Sequence, residues 1–179
     1  EDGLFQEWVL VEDSRLFALP DSLGWEEGAT LSVNYLTAWR ALTHSVTVRD
    51  GDTVLVSGAT GSVGNALVQL GKAIGARVIA VVSSAEKAAR VRAAGASEVI
   101  DLSAEKDLPG AVRALTDGKG ADYAFDPVGG SLLNLLLQGV RFRGTVVSLG
   151  FAGGNEPAFN AFEIIAGEKT IGQFMTFFT

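Results

Sequence analysis

Thr53-Val54-Leu55-Val56-Ser57-Gly58-Ala59-Thr60-Gly61-Ser62-Val63-Gly64 is the stretch whose reading decides the fold of this chain. It opens as a short β-rich run, announced by the turn signal Asp50-Gly51-Asp52. It then passes through three glycines into a segment of helical period. Val63, Ala66, Leu67, Leu70 and Ile74 recur at spacings of three and four, so Ser62 to Ile74 presents one apolar face of a helix. The unit is strand, glycine loop, helix.

Downstream the same alternation continues. Arg77-Val78-Ile79-Ala80-Val81-Val82 is apolar throughout, as a strand must be when both faces of a parallel sheet are covered. Ala85 to Ala94 reads as a helix, and Gly95 suits its C-terminal stop. Glu98 to Asp101 is a third strand, and a helix over Ala111 to Thr116 is entered through Asp107 and Pro109. Asp122 to Phe125 is a fourth strand. Ser131 caps a helix through Leu132, Leu135 and Leu136, Thr145 to Leu149 is a fifth strand, and Ile171 to Phe178 a sixth. Strands alternating with helices of about ten residues make a parallel sheet. Right-handed crossovers leave one architecture, an α/β doubly wound Rossmann sheet of about six strands with helices on both faces.

Upstream the character differs. Residues 1–50 show no repeating unit. Trp8-Val9-Leu10-Val11 is expected as a short strand, and Leu19-Pro20-Asp21 as a turn, with Asp21 or Ser22 as a cap. Ala29 to Leu42 is expected to be helical. The expected division is therefore 1–50 and 51–179.

Composition bounds the function. The 179 residues carry 14 Lys and Arg against 21 Asp and Glu, a formal charge of −7, which argues against a duplex nucleic-acid partner. There is no Cys, which excludes disulfides, iron–sulfur clusters and thiolate zinc sites, and one His, too few for a multi-histidine metal site. No apolar run reaches the ~20 residues of a membrane helix, and no signal peptide is visible, so a cytoplasmic protein is expected. The chain does not begin with Met and closes on the apolar run Gln173 to Thr179. We therefore expect a fragment of a longer protein; the alternative is a short natural chain whose last strand sits in a dimer sheet.

The glycine loop carries the first chemical signal. A diphosphate needs backbone N–H groups aimed at it, which a helix N-terminus supplies together with a favourable dipole. Side chains on the loop would block that approach. The spacing Gly58-x-x-Gly61-x-x-Gly64 departs from the usual G-x-G-x-x-G, but it stands after a strand and before an amphipathic helix, the context a dinucleotide site requires. The other reading is an ordinary strand-to-helix turn.

The end of the second strand carries another signal. An NAD site places Asp or Glu there to bond the ribose hydroxyls. Here the residues are Val82-Ser83-Ser84-Ala85-Glu86-Lys87, with no acid at the tip. Ser83 and Ser84 can donate to a 2′-phosphate and Lys87 can neutralise it, which favours NADPH over NADH; Arg90 stands one turn further on. The competing reading gives the serines to helix capping and leaves Lys87 in solvent.

Several stretches together resemble the medium-chain dehydrogenase/reductase superfamily, in its zinc-free quinone oxidoreductase (zeta-crystallin-like) branch. They are Gly3-Leu4-Phe5-Gln6-Glu7-Trp8, Leu19-Pro20-Asp21, Asn34-Tyr35-Leu36-Thr37-Ala38-Trp39, the loop Ser57 to Gly64, Phe125-Asp126-Pro127-Val128-Gly129-Gly130 and Gly144-Thr145-Val146-Val147-Ser148-Leu149-Gly150. The resemblance implies that residues 1–50 are the tail of a GroES-like substrate domain with the segment crossing to the next, and 51–179 a C-terminally truncated NADP-binding domain. It implies that Thr37 lies near the nicotinamide, that Gly61, Ser62 and Val63 hold the diphosphate, and that Ser84 and Lys87 match adenosine-phosphate contacts. Asp126, Val128 and Gly129 would line the crevice, and Leu149, Gly150 and Phe151 would lie beside the nicotinamide. The family often has Tyr after the third strand; Leu102 stands here.

Other residues bear on chemistry. Tyr35 is the one catalytic candidate, as a proton or hydrogen-bond donor to substrate, against a reading as helix packing. His44 reads as structural. A short-chain dehydrogenase would need Tyr-x-x-x-Lys, and neither Tyr35 nor Tyr123 is followed so. Phe174, Phe177 and Phe178 read as core or dimer edge, and related enzymes pair this edge across a two-fold, so a homodimer through the last strand is expected. The expected activity is metal-independent hydride transfer from NADPH to a small-molecule acceptor, a quinone or an α,β-unsaturated carbonyl. The alternatives are an enoyl thioester reductase of the same superfamily and a non-catalytic nucleotide-binding structural or regulatory protein.

Overall fold

The structure, a computed structural model, describes residues 6–156 and 159–173. Six strands form one sheet: β1 Thr53–Val56, β2 Arg77–Val82, β3 Glu98–Asp101, β4 Ala121–Asp126, β5 Val140–Ser148 and β6 Thr170–Gln173. All neighbours are parallel, in the order β3-β2-β1-β4-β5-β6. This is the doubly wound order expected, with the chain reversing its direction of travel between β1 and β4.

The helices are α1 Trp25–Thr30, α2 Leu36–Arg40, α3 Ser62–Ile74, α4 Ala85–Ala94, α5 Leu108–Leu115, α6 Ser131–Gly139 and α7 Ala161–Gly167. Wider π turns at Leu31–Tyr35 and Ala41–Ser45 make 25–45 helical throughout, longer at both ends than the expected segment. Two apolar cores lie on opposite faces of the sheet. One joins Val54, Val56, Val78 and Phe125 of the strands to Leu42, Leu67 and Val91 of the helical layer. The other joins Leu55, Ile79 and Ala124 to Leu108, Val112, Leu133 and Leu136. Alternate residues of β1 therefore serve both cores, which is why the strand is apolar without a break. Ala38, Ala41, Leu42 and Val48 are buried in the first core, so the segment preceding β1 packs as part of the same unit.

Capping is local. Asp107 is the N-cap of α5 and accepts from Gly110 N at 2.9 Å, with Pro109 in the first turn, so this helix starts three residues before its apolar pattern suggests. Gly95 ends α4 at φ 116°, a left-handed conformation open to glycine. The N-cap of α6 is Gly130, and Ser131 is its first residue, not its cap. Neither Asp21 nor Ser22 caps α1: Gly24 does, and Glu27 returns to the Gly24 N–H at 2.8 Å.

Two strands also differ from expectation. Trp8 to Val11 form no strand; Trp8 is 89% and Leu10 100% exposed, and no strand lies alongside to supply a ladder among the described residues. β5 begins at Val140, five residues before Thr145, because Val140 pairs with Ala121 before the register shifts. Arg143, at φ 59°, breaks the alternation that would have revealed it. The sixth strand is described over Thr170–Gln173; its expected continuation to Phe178, with Phe174 and Phe177, lies outside the described residues.

Candidate functional site

Parallel strands bring their C-terminal ends to one edge of the sheet, and the reversal between β1 and β4 opens a crevice there. The expected site residues arrive at that edge on four segments. Gly61, Ser62 and Val63 follow β1; Ser83, Ser84 and Lys87 follow β2; Asp126 ends β4, and Val128 and Gly129 follow it; Leu149, Gly150 and Phe151 follow β5. Tyr35 and Thr37 come from the helical segment packed against α3.

The glycine loop closes on itself. Gly61 N–H donates to the Gly58 carbonyl at 2.8 Å, and Gly61 becomes the N-cap of α3 with no side chain to offer the helix. The first-turn N–H groups of α3, Ser62 and Val63 among them, therefore face out of the helix end without a cap. A Cβ on Gly64 would lie 2.2 Å from the Gly58 carbonyl oxygen and 2.9 Å from Ala59 Cα. Only glycine permits this approach of helix to loop. The result is a backbone cradle at a positive dipole end, the donor set that fits a diphosphate.

At the β2 tip, Lys87 Nζ donates to Ser83 Oγ at 2.8 Å across one turn of α4. Ser84 stands at the N-cap of α4 but makes no side-chain cap bond. Asp101, the register neighbour of Val82, turns its Oδ1 to the Ser103 N–H at 2.8 Å. Three polar groups are thus gathered at the strand end, and the adjacent acid is held by its own turn.

At the β4 end Asp126 is fully buried. Its Oδ1 accepts from Ser57 Oγ at 2.5 Å and from Val128 N at 3.0 Å, while Oδ2 has no partner. Sequence reading placed Asp126 but missed Ser57. The signal was present: β1 and β4 align Val56 with Phe125, so the polar residues that end the two apolar runs stand side by side. The loops after β4 and β5 interlock, with Gly153 N–H donating to the Val128 carbonyl at 2.7 Å. Phe151 projects from the second loop, 71% exposed.

Tyr35 has its hydroxyl engaged: it donates to Gln69 Oε1 on α3 at 2.8 Å. Thr37 is buried on α2. His44 is exposed and shares a 2.8 Å contact between Nδ1 and Thr43 Oγ1. At the opposite edge of the sheet lies a polar hollow of about 360 Å³ lined by Asp52, Arg77, Lys119, Asp122 and Arg141 among others. Arg141 is paired with Asp122 at 2.6 Å and Arg77 with Glu98 at 3.5 Å, so much of its charge is already answered. Among the described residues no helix is long and apolar enough to cross a membrane, and no cluster of three His, Cys, Asp or Glu could hold a metal.

Residues 62–178 match the family described as zinc-binding dehydrogenase. The chain is 37% identical over 152 residues to a quinone oxidoreductase of Pseudomonas aeruginosa, covering 85% of this chain and 46% of that protein. A mycobacterial protein solved in complex with NADPH superposes with a TM-score of 0.81 at 34% identity, over 88% of this chain and 48% of the other. An NAD-dependent alcohol dehydrogenase superposes with a TM-score of 0.90 at 33% identity, over 96% and 50% respectively. The chain spans about half the length of these proteins.

Proposed function

The chain belongs to the zinc-binding dehydrogenase family, within the medium-chain dehydrogenase/reductase superfamily, and on that premise we propose that it is the cofactor-binding part of an NADPH-dependent reductase. The acceptor we propose is a small electron-poor molecule, a quinone or an α,β-unsaturated carbonyl. The observation that carries this reading is the cradle between Gly58 and the uncapped N-terminus of α3, closed so tightly that no side chain could stand at Gly64.

When bound, the nicotinamide supplies the hydride; the chain's own residues bind and orient. The N–H groups of Ser62 and Val63, with Gly61 at the turn, hold the diphosphate at the positive end of the α3 dipole. Ser83, Ser84 and Lys87 take the 2′-phosphate as donors and counter-charge. Val128 and Gly129, with the buried Asp126 behind them, form one wall, and Leu149, Gly150 and Phe151, with Thr37 from the helical side, flank the nicotinamide. No residue in this role needs a metal, and a chain without Cys and with one His offers no thiolate or multi-histidine set. Residues 1–50 belong, on this reading, to a substrate domain and its crossing segment, and the protein works in the cytoplasm as a homodimer.

Calorimetric titration of the 179-residue chain with NADPH and with NADH tests the assignment. Micromolar NADPH binding with much weaker NADH binding is expected. Binding of neither would overturn the cofactor reading and leave a structural use of the fold. Equal binding of both would remove the specificity and keep the fold's function.

A further inference from the structure

We propose that Asp126 is a positioning residue that joins the two halves of the crevice, so that a ligand spanning both depends on it while a ligand of one half does not. The inference rests on the cofactor reading above. Three segments that rim the crevice converge on this one residue. Ser57, the first residue of the glycine loop, donates to its Oδ1 at 2.5 Å. Val128 N–H, from the loop after β4, donates to the same oxygen at 3.0 Å. Leu149 N–H, just past the end of β5, donates to its carbonyl at 2.9 Å.

Packing repeats the convergence. Val128 covers Gly58, where a Cβ would lie 2.8 Å from Val128 Cγ2, and Gly150 is pressed to the Pro127 carbonyl, where a Cβ would lie 2.5 Å away. These are contacts between loops, with no room for independent adjustment. If packing alone mattered here, an apolar side chain would fill the place at lower cost. A fully buried carboxyl with one bare oxygen is expensive to bury. What the carboxyl adds is a fixed distance between the glycine loop and the 126–130 loop.

In this topology the β1–β3 half takes the adenosine end of a dinucleotide and the β4–β6 half the nicotinamide end. The Ser57–Asp126–Val128 chain of bonds crosses from one half to the other at the switch point. Loosening it leaves each half intact and spoils their spacing.

The test compares NADPH, which spans the crevice, with 2′,5′-ADP, which occupies the adenosine half alone. Asp126→Ala removes both side-chain bonds and is expected to raise the NADPH Kd by about tenfold, two hydrogen bonds' worth, with 2′,5′-ADP changed less than about twofold. Asp126→Asn keeps an acceptor oxygen for Ser57 and Val128 and is expected to restore NADPH binding to within about threefold of the parent chain. Ser57→Ala, which leaves the carboxyl in place, is expected to fall between them, and it carries the test if Asp126→Ala does not fold. Equal loss for both ligands, no loss for either, or an Asn variant as weak as the Ala variant would overturn the positioning role. A parent chain that binds neither ligand would instead overturn the cofactor reading itself.

Discussion

Lys87 reaches back along α4 to place its Nζ 2.8 Å from Ser83 Oγ, so a cation and a hydroxyl are already assembled at the tip of β2. The site lacks the acid that would bond ribose hydroxyls and repel a 2′-phosphate. Lys87→Ala is therefore expected to weaken NADPH binding by about tenfold and leave NADH within about twofold, as charge-assisted contacts to phosphate are among the stronger ones. Equal loss for the two cofactors in parallel titrations would remove Lys87 from the phosphate site.

Gly64 offers a sharper perturbation. A Cβ there would sit 2.2 Å from the Gly58 carbonyl, against backbone that cannot swing aside. Gly64→Ala must push α3 away from the loop, and with it the N–H groups of Ser62 and Val63. The expected outcome is loss of dinucleotide binding with a lowered melting temperature, read by calorimetry and thermal denaturation. Retained affinity would show that the cradle does not hold the ligand.

Much of this was legible in the sequence because local rules agreed with one another. The strand Arg77–Val82, the period of Ser62–Ile74 and the stop at Gly95 each announce themselves within a few residues. What was not legible depended on partners distant in the chain. Trp8 to Val11 have strand composition but no strand beside them among the described residues, so composition misleads. The start of β5 is hidden because Val140 alone pairs with β4 before the register shifts, and Arg141, Phe142 and Arg143 lie in that irregularity. In the candidate site the glycine loop and the polar residues at the strand ends follow from motif spacing. The Ser57–Asp126 bond, 69 residues apart, needs the register of two strands.

Tyr35 illustrates the same point for chemistry. Its hydroxyl donates to Gln69 at 2.8 Å, 34 residues on, which ties the segment before β1 to α3. Tyr35→Phe is expected to cost about 1 kcal/mol of stability, the loss of one part-buried hydrogen bond, and to leave NADPH affinity within about twofold. Urea denaturation and titration of the same variant measure both. Unchanged stability with weakened binding would return the phenol to the ligand.

β6 stands at the edge of the sheet, with one side of its ladder unpaired among the described residues. Nearby on α7, Phe162 and Ile165 are 68% and 76% exposed. An edge of this kind favours pairing with a second copy. The chain is expected to sediment as a dimer at micromolar concentration, and Thr170→Lys, a charge placed at an exposed position of the edge strand, to shift it towards monomer. A parent chain that sediments as a monomer would refute the pairing.

Tyr123 lies on β4, and burial raises its phenol above the ordinary value of 10.0, with the nearby Asp52 and Asp122 adding to the shift and Arg141 and Arg49 opposing it. The folded chain therefore holds the phenolic proton more tightly than the unfolded chain does. Above the unfolded pKa the unfolded state loses its proton first, so stability falls as pH rises. The contribution is fully present below 10.0 and is lost progressively as pH climbs through the raised value. Tyr123→Phe abolishes this ionisation. The urea midpoint of the parent chain is expected to drop more steeply above pH 10.0 than that of Tyr123→Phe, while the two curves run parallel near neutrality. Curves that stay parallel through the alkaline range would mean that Tyr123 titrates alike in the folded and unfolded chain.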